Sequence, residues 1–122
     1  MTPEQEQLRT RYIDSLEQVE RASERTVTAL CEAHQALEAI RDLVASGRPL
    51  ADVEGVVEPG PVRAGVTDAL LTLERSRHEA QRLLFRLLQA EGQTLADIGR
   101  AYGISRQLVS RLVNEPDRAP TV

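Results

Sequence analysis

The chain has 122 residues, with 15 basic residues, 19 acidic residues and a net charge of −4 at pH 7. A single cysteine, Cys31, excludes an intramolecular disulfide, and no apolar run is long enough for a membrane span or a secretory leader. Only Tyr12, Phe85 and Tyr102 are aromatic, so Leu, Val, Ile and Ala must fill the core, and without alternating β-branched runs the expected fold class is all-α.

All the basic residues are Arg, the usage expected of a GC-rich bacterial genome, and a reducing cytoplasm is the expected setting. The total charge hides a division. Residues 1–60 hold 6 Arg against 12 acids, whereas residues 75–114 hold seven Arg against three acids. The C-terminal part can therefore attract phosphate while the N-terminal part repels it.

A long helix opens the chain. Thr2 is placed to cap it, Pro3 suits its first turn, and Gln5 stands where a capping box wants Glu or Gln. The pattern continues to about Ser46, where Gly47 and Pro49 stop it. Tyr12, Leu16, Val19, Ser23, Thr26, Leu30, Ala33, Leu37, Ile40 and Val44 step by alternating fours and threes, a heptad seam. At 1.5 Å per residue such a helix is roughly 66 Å long. It must bury its stripe against a second copy or another long helix, and residues 1–46 are expected to drive oligomerisation through Tyr12, Leu16, Val19, Leu30, Leu37, Ile40 and Val44.

Residues 47–65 form a Pro/Gly linker with Pro59-Gly60-Pro61 as a firm break. Leu50, Val53, Val56 and Val57 suggest that it lies against the helices, with a short helical turn near 51–55. A second amphipathic helix is expected from about Pro61 to Glu91, closed by Gly92. Its stripe of Val66, Leu70, Leu73, Arg77, Ala80, Leu84 and Leu87 repeats the same spacing. The two long helices suit either an antiparallel hairpin or a coiled-coil dimer, in either strand direction.

Residues 94–115, "TLADIGRAYGISRQLVSRLVNE", follow at once. Thr94 and Asp97 can form a capping box. Leu95, Ile98 and Ala101 make an inner face, Gly103 supplies a left-handed turn, and Ser105 caps the next helix. Leu108, Val109 and Leu112 face inward. This spacing resembles the helix-turn-helix family of DNA-binding proteins, and also the helix-turn-helix of site-specific recombinases and promoter-recognising sigma factors. Ile98 followed by small Gly99, the turn glycine Gly103, and Ile104, Val109 and Leu112 match the family's pattern. Tyr102 is larger than the usual residue before the turn.

The resemblance implies a trihelical unit over residues 66–115, with Leu83, Leu84, Leu87 and Leu88 beneath the two short helices. It also implies that the second short helix enters the major groove of double-stranded DNA. Its outward residues Ser105, Arg106, Gln107, Ser110, Arg111 and Asn114 would meet bases and phosphates, with Arg100 better placed for the backbone. No Asp or Glu occurs from Arg100 to Asn114. Arg82 and Arg86 are expected on the outer side of the preceding helix, either flanking DNA or simply solvated. Residues 116–122 are expected to be a flexible tail.

No metal-ligand spacing, phosphate loop, paired catalytic carboxylates or nucleophile motif appears, so neither a cofactor nor a metal nor an enzymatic activity is expected. The expected function is a dimeric, sequence-specific, nucleoid-associated transcriptional regulator. Two alternatives stand beside it: an interaction adaptor whose heptad helices bind another protein, and a nucleoid-type binder of low sequence preference. The acidic N-terminal helix offers a surface to a basic protein partner.

Overall fold

The computed structural model describes residues 1–56 and 59–117. Every regular element among them is a helix: α1 (Pro3–Ala45), α2 (Leu50–Val56), α3 (Pro59–Ala90), α4 (Leu95–Tyr102) and α5 (Arg106–Asn114). Among the described residues no helix is long and apolar enough to cross a membrane.

Local chemistry sets the ends. Thr2 and Gln5 exchange hydrogen bonds at the start of α1: the Gln5 amide donates to Thr2 Oγ1 (3.1 Å) and the Thr2 amide to Gln5 Oε1 (3.0 Å). Gly47 ends it at φ +86°, and the Gly47 and Arg48 amides fold back onto the carbonyls of Val44 and Leu43. The short turn expected near 51–55 is a seven-residue helix, α2. Pro59-Gly60-Pro61 is not a break, because α3 starts at Pro59. Amides of a first helical turn have no partner within the helix, so prolines there cost no hydrogen bond. Val57 lies outside the described residues.

The chain forms two compact units, one of Met1–Glu17 with the chain from Arg77 onward, the other of Gln18–Ser76. In the Gln18–Ser76 unit α1 and α3 run antiparallel. Thr26 Oγ1 bonds the Ala22 carbonyl (2.8 Å) and reaches the Ala69 carbonyl (3.4 Å), while Leu37 and Ile40 lie beside Val62 and Val66. Val53 of α2 is buried.

The inward row of α1 departs from the expected seam in an orderly way. Tyr12, Val19, Thr26, Ala33 and Ile40 are buried or half-buried, as the heptad pattern requires. At the alternate positions the chain turns Ser15, Ala22, Ala29, Ala36 and Leu43 inward instead of Leu16, Ser23, Leu30, Leu37 and Val44. Ser15 and Ala22 are buried, whereas Leu16, Leu30, Leu37 and Val44 are exposed. Small side chains on one helix face let the neighbouring backbone come close, so the row with the largest apolar residues is not the one used. Ser23 sits half-buried at the edge.

The other unit has two adjoining clusters. Phe85, Ile98, Val109 and Leu112 form one, surrounded by Leu84, Leu88, Leu95, Ile104, Leu108 and Val113. Leu8, Leu83 and Leu87, with Tyr12, form the second. The first turns of α1 thus share a core with the last turns of α3. The Gln5 side-chain amide bonds the Ala90 carbonyl (2.7 Å) and Arg9 pairs with Glu91 (2.7 Å).

Candidate functional site

The short helices α4 and α5 rest on α3 through Phe85, which is fully buried and touches the ring of Tyr102 edge-on at 5.1 Å. Burying a side chain of this size stabilises by about 1.5–3 kcal/mol. Tyr102 is therefore accommodated at the rim, with its ring half in solvent. Ala101, expected inward, is exposed. Leu95, Ile98 and Gly99 already fill the inner side of an eight-residue helix.

The start of α4 is a complete capping box. Thr94 Oγ1 accepts from the Asp97 amide (3.1 Å), and the Asp97 carboxylate accepts from the Thr94 amide (3.3 Å). The Thr94 hydroxyl beside the Asp97 carboxyl, then the Thr94 backbone amide, hold that carboxyl below its ordinary range, with Arg100 adding to the effect. Gly103 takes φ +68° and ψ +31°, a left-handed turn without a Cβ penalty. Gly99 solves a different problem. The Ile104 amide bonds the Gly99 carbonyl (3.0 Å), and a Cβ at Gly99 would stand 2.8 Å from the Ile104 carbonyl oxygen. Only a glycine lets the chain after the turn approach α4 this closely.

Ser105 caps α5, its hydroxyl oxygen accepting from the Leu108 amide (3.1 Å). The candidate residues then fall into two groups. Arg106, Gln107 and Arg111 are exposed on α5, and no ion pair engages either arginine among the described residues. Gln107 and Arg111 are one turn apart on one flank of the helix, and Arg106 stands about 100° around it from Gln107. Ser105, Ser110, Asn114 and Arg100 are engaged locally. Ser105 is the cap, Asn114 Nδ2 donates to the Ser110 carbonyl (2.8 Å) and hydroxyl (3.4 Å), and Arg100 pairs with Asp97. Ser110 is half-buried.

No family model, curated protein or solved structure matches the chain. Its chemistry must be read from its own residues.

The far end of α5 is held by a charged cluster that sequence reasoning missed. Arg82, expected on an outer face, is 1 % exposed. Its guanidinium forks onto Glu79 (3.1 and 2.8 Å), donates to the Glu115 carbonyl (3.1 Å) and reaches Asp117 (2.6 Å). Asp117 also accepts from Arg11 (2.9 Å) and Arg86 (3.3 Å), and His78 Nε2 meets Glu115 Oε2 at 2.8 Å. Arg86 is half-buried in this cluster and does not lie on a free outer face. Burial of an arginine requires that its donors be matched, and here carboxylates and a carbonyl match them.

The hydrogen bond from Arg11, then that from Arg82, lowers the Asp117 carboxyl to about 2. Arg82 likewise holds Glu79 below the carboxylate range. Pro116 and Asp117 are thus not a loose tail: Asp117 is tied to α1 and α3, while residues 118–122 lie outside the described residues. The i,i+3 spacing of Glu79 and Arg82 was a readable signal for half of this cluster. Asp117 offered none, because its partners are 31–106 positions away in sequence.

Among the described residues no group of three or more His, Cys, Asp or Glu could hold a metal ion. Cys31 is exposed on α1.

Proposed function

We propose that this protein is a sequence-specific DNA-binding transcriptional regulator of the helix-turn-helix kind, acting as a dimer through its long helices on the bacterial nucleoid. The observation that carries the reading is the exposed surface of α5. Arg106, Gln107 and Arg111 project from a short helix whose two ends are fixed by a cap and an ion cluster, and the segment from Arg100 to Asn114 contains no acid. Arg suits the acceptors of guanine and Gln suits adenine in the major groove, each through a pair of hydrogen bonds. Arg106 and Gln107 occupy the first turn of α5, the part of such a helix that reaches base edges. Arg111 and Arg100 are placed to meet phosphates, Arg100 after exchanging Asp97 for the backbone of DNA. Ser105 serves the fold first, as a cap.

Selection from a random duplex pool at two salt concentrations tests the reading, with wild type beside an Arg106→Ala, Arg111→Ala variant. An enriched motif that the variant loses is the expected result. Arg106→Ala alone should cost about 1–3 kcal/mol and relax preference at one base position. Binding without enrichment, lost equally on all sequences, would make the protein a low-specificity binder. No DNA retained at low salt would overturn the DNA reading and leave an interaction adaptor.

A further inference from the structure

Helices α1, α3 and α4 end alike. At Gly47, Gly92 and Gly103 the backbone turns left-handed, at φ +86°, +104° and +68°, and amides fold back onto the last carbonyls. α5 ends differently. Glu115 leaves it in an extended conformation, the Glu115 amide reaches the Leu112 carbonyl only at 3.4 Å, and Pro116 has no amide to offer. A nine-residue helix is too short to sustain itself in water, so what closes its last turn must come from other elements.

The charged cluster supplies that closure. Arg82 of α3, 1 % exposed, donates to the Glu115 carbonyl (3.1 Å), and His78 Nε2 meets Glu115 Oε2 (2.8 Å). A cation at this end also suits the helix dipole. Asp117 completes the clasp. Its Oδ1 accepts from Arg82 and Arg86 of α3 and from Arg11 of α1, so one carboxylate ties the chain leaving α5 to two other helices. Glu79 differs in this respect. It shares α3 with Arg82 and forks onto the guanidinium without reaching another element. Asp117, not Glu79, is the group that links elements.

The last turn that this clasp closes carries Arg111. Buried Leu112 beside it fixes only the inner side of that turn. Arg106 and Gln107 lie in the first turn, next to the Ser105 cap. We infer that Asp117 is a positioning residue for the DNA surface: by closing the last turn of α5 it fixes where Arg111 meets a phosphate, while base reading by Arg106 and Gln107 stays with the Ser105 cap. The inference rests on the proposed function. Its sign separates it from simple electrostatics. Removing Asp117 takes away an acid and releases Arg11 and Arg86, which bond no other carboxylate among the described residues. Charge alone would then raise affinity for a polyanion, whereas lost positioning lowers it.

Two measurements on the full chain test it, the first without DNA. Amide exchange followed by NMR compares wild type with Asp117→Ala. Exchange at Leu112, Val113 and Asn114 should quicken about three-fold or more, with Ile98 and the buried residues of α3 unchanged. A uniform quickening would make Asp117 a stability residue alone, and no change would remove the clasp; either overturns the positioning role. Fluorescence anisotropy on a selected duplex is the second measurement. Asp117→Ala should weaken binding about three-fold or more and make the salt dependence shallower, towards that of Arg111→Ala, with the preferred sequence kept. In an Arg111→Ala background Asp117→Ala should weaken binding no further, because both changes remove one contact. Equal or tighter binding by Asp117→Ala, or a loss of the same size in both backgrounds, would overturn the positioning role and leave the DNA reading standing. A wild type that retains no DNA would overturn the proposed function, and the positioning role with it, whatever the exchange rates.

Discussion

Gly99 and Gly103 stand four residues apart and are needed for different reasons. Gly103 supplies a left-handed backbone, with open space where a Cβ would go. Gly99 has an ordinary helical backbone and no space at all, since the Ile104 carbonyl blocks its Cβ position. A small residue at position 99 and a glycine in the turn could both be read from the sequence, but which one answered to crowding could not. Crowding depends on a carbonyl five residues away, after the chain has reversed. Gly99→Ala should destabilise by about 1–3 kcal/mol, the range for forcing a methyl into a filled site. Gly103→Ala should cost about 1–2 kcal/mol through backbone strain. Urea unfolding of both variants measures this. A neutral Gly99→Ala would mean that the turn moves aside freely, and the close approach of α4 to the start of α5 would then be no constraint.

At the scale of elements, the caps and turns were legible because they are local. Thr2, Gly47, Thr94, Asp97, Gly103 and Ser105 act on backbone groups within a few residues of themselves. The inner face of α1 was legible only at alternate positions, since apolar size points to Leu30 and Leu37 while close helix approach selects Ala29 and Ala36. The clasp at the end of α5 was hidden, because burial of Arg82 depends on Asp117 returning from the far end of the chain. It makes a pH prediction. The Asp117 carboxyl sits at about 2 in the folded protein against an ordinary 3.8. A depressed folded value means the contribution is fully present above about pH 4 and is lost as pH falls towards 2. Asp117→Asn should therefore lower stability at pH 6 and flatten its decline between pH 4 and 2. Some slope should persist, because Glu79 is lowered as well. Thermal midpoints of the two proteins across that range decide the matter, and parallel acid limbs would show that Asp117 contributes nothing.

Across the whole molecule the charge is sorted by unit. The Gln18–Ser76 segment holds ten acids against six Arg, the entire net −4 of the chain. Residues 1–17 and 77–122 are balanced, with nine of each sign. An acidic body limits indiscriminate binding to polyanions, so on the proposed reading DNA affinity has to come from a few well-placed cations. If Arg100 and Arg111 of both protomers each neutralise one phosphate, log K should fall against log salt with a slope of about −3.6. Arg111→Ala should bring it to about −1.8, since one contact per protomer is lost. Fluorescence anisotropy on one selected duplex, titrated at four or five salt concentrations, yields both slopes. A shallow slope in wild type that Arg111→Ala does not change would remove α5 from the phosphate contacts.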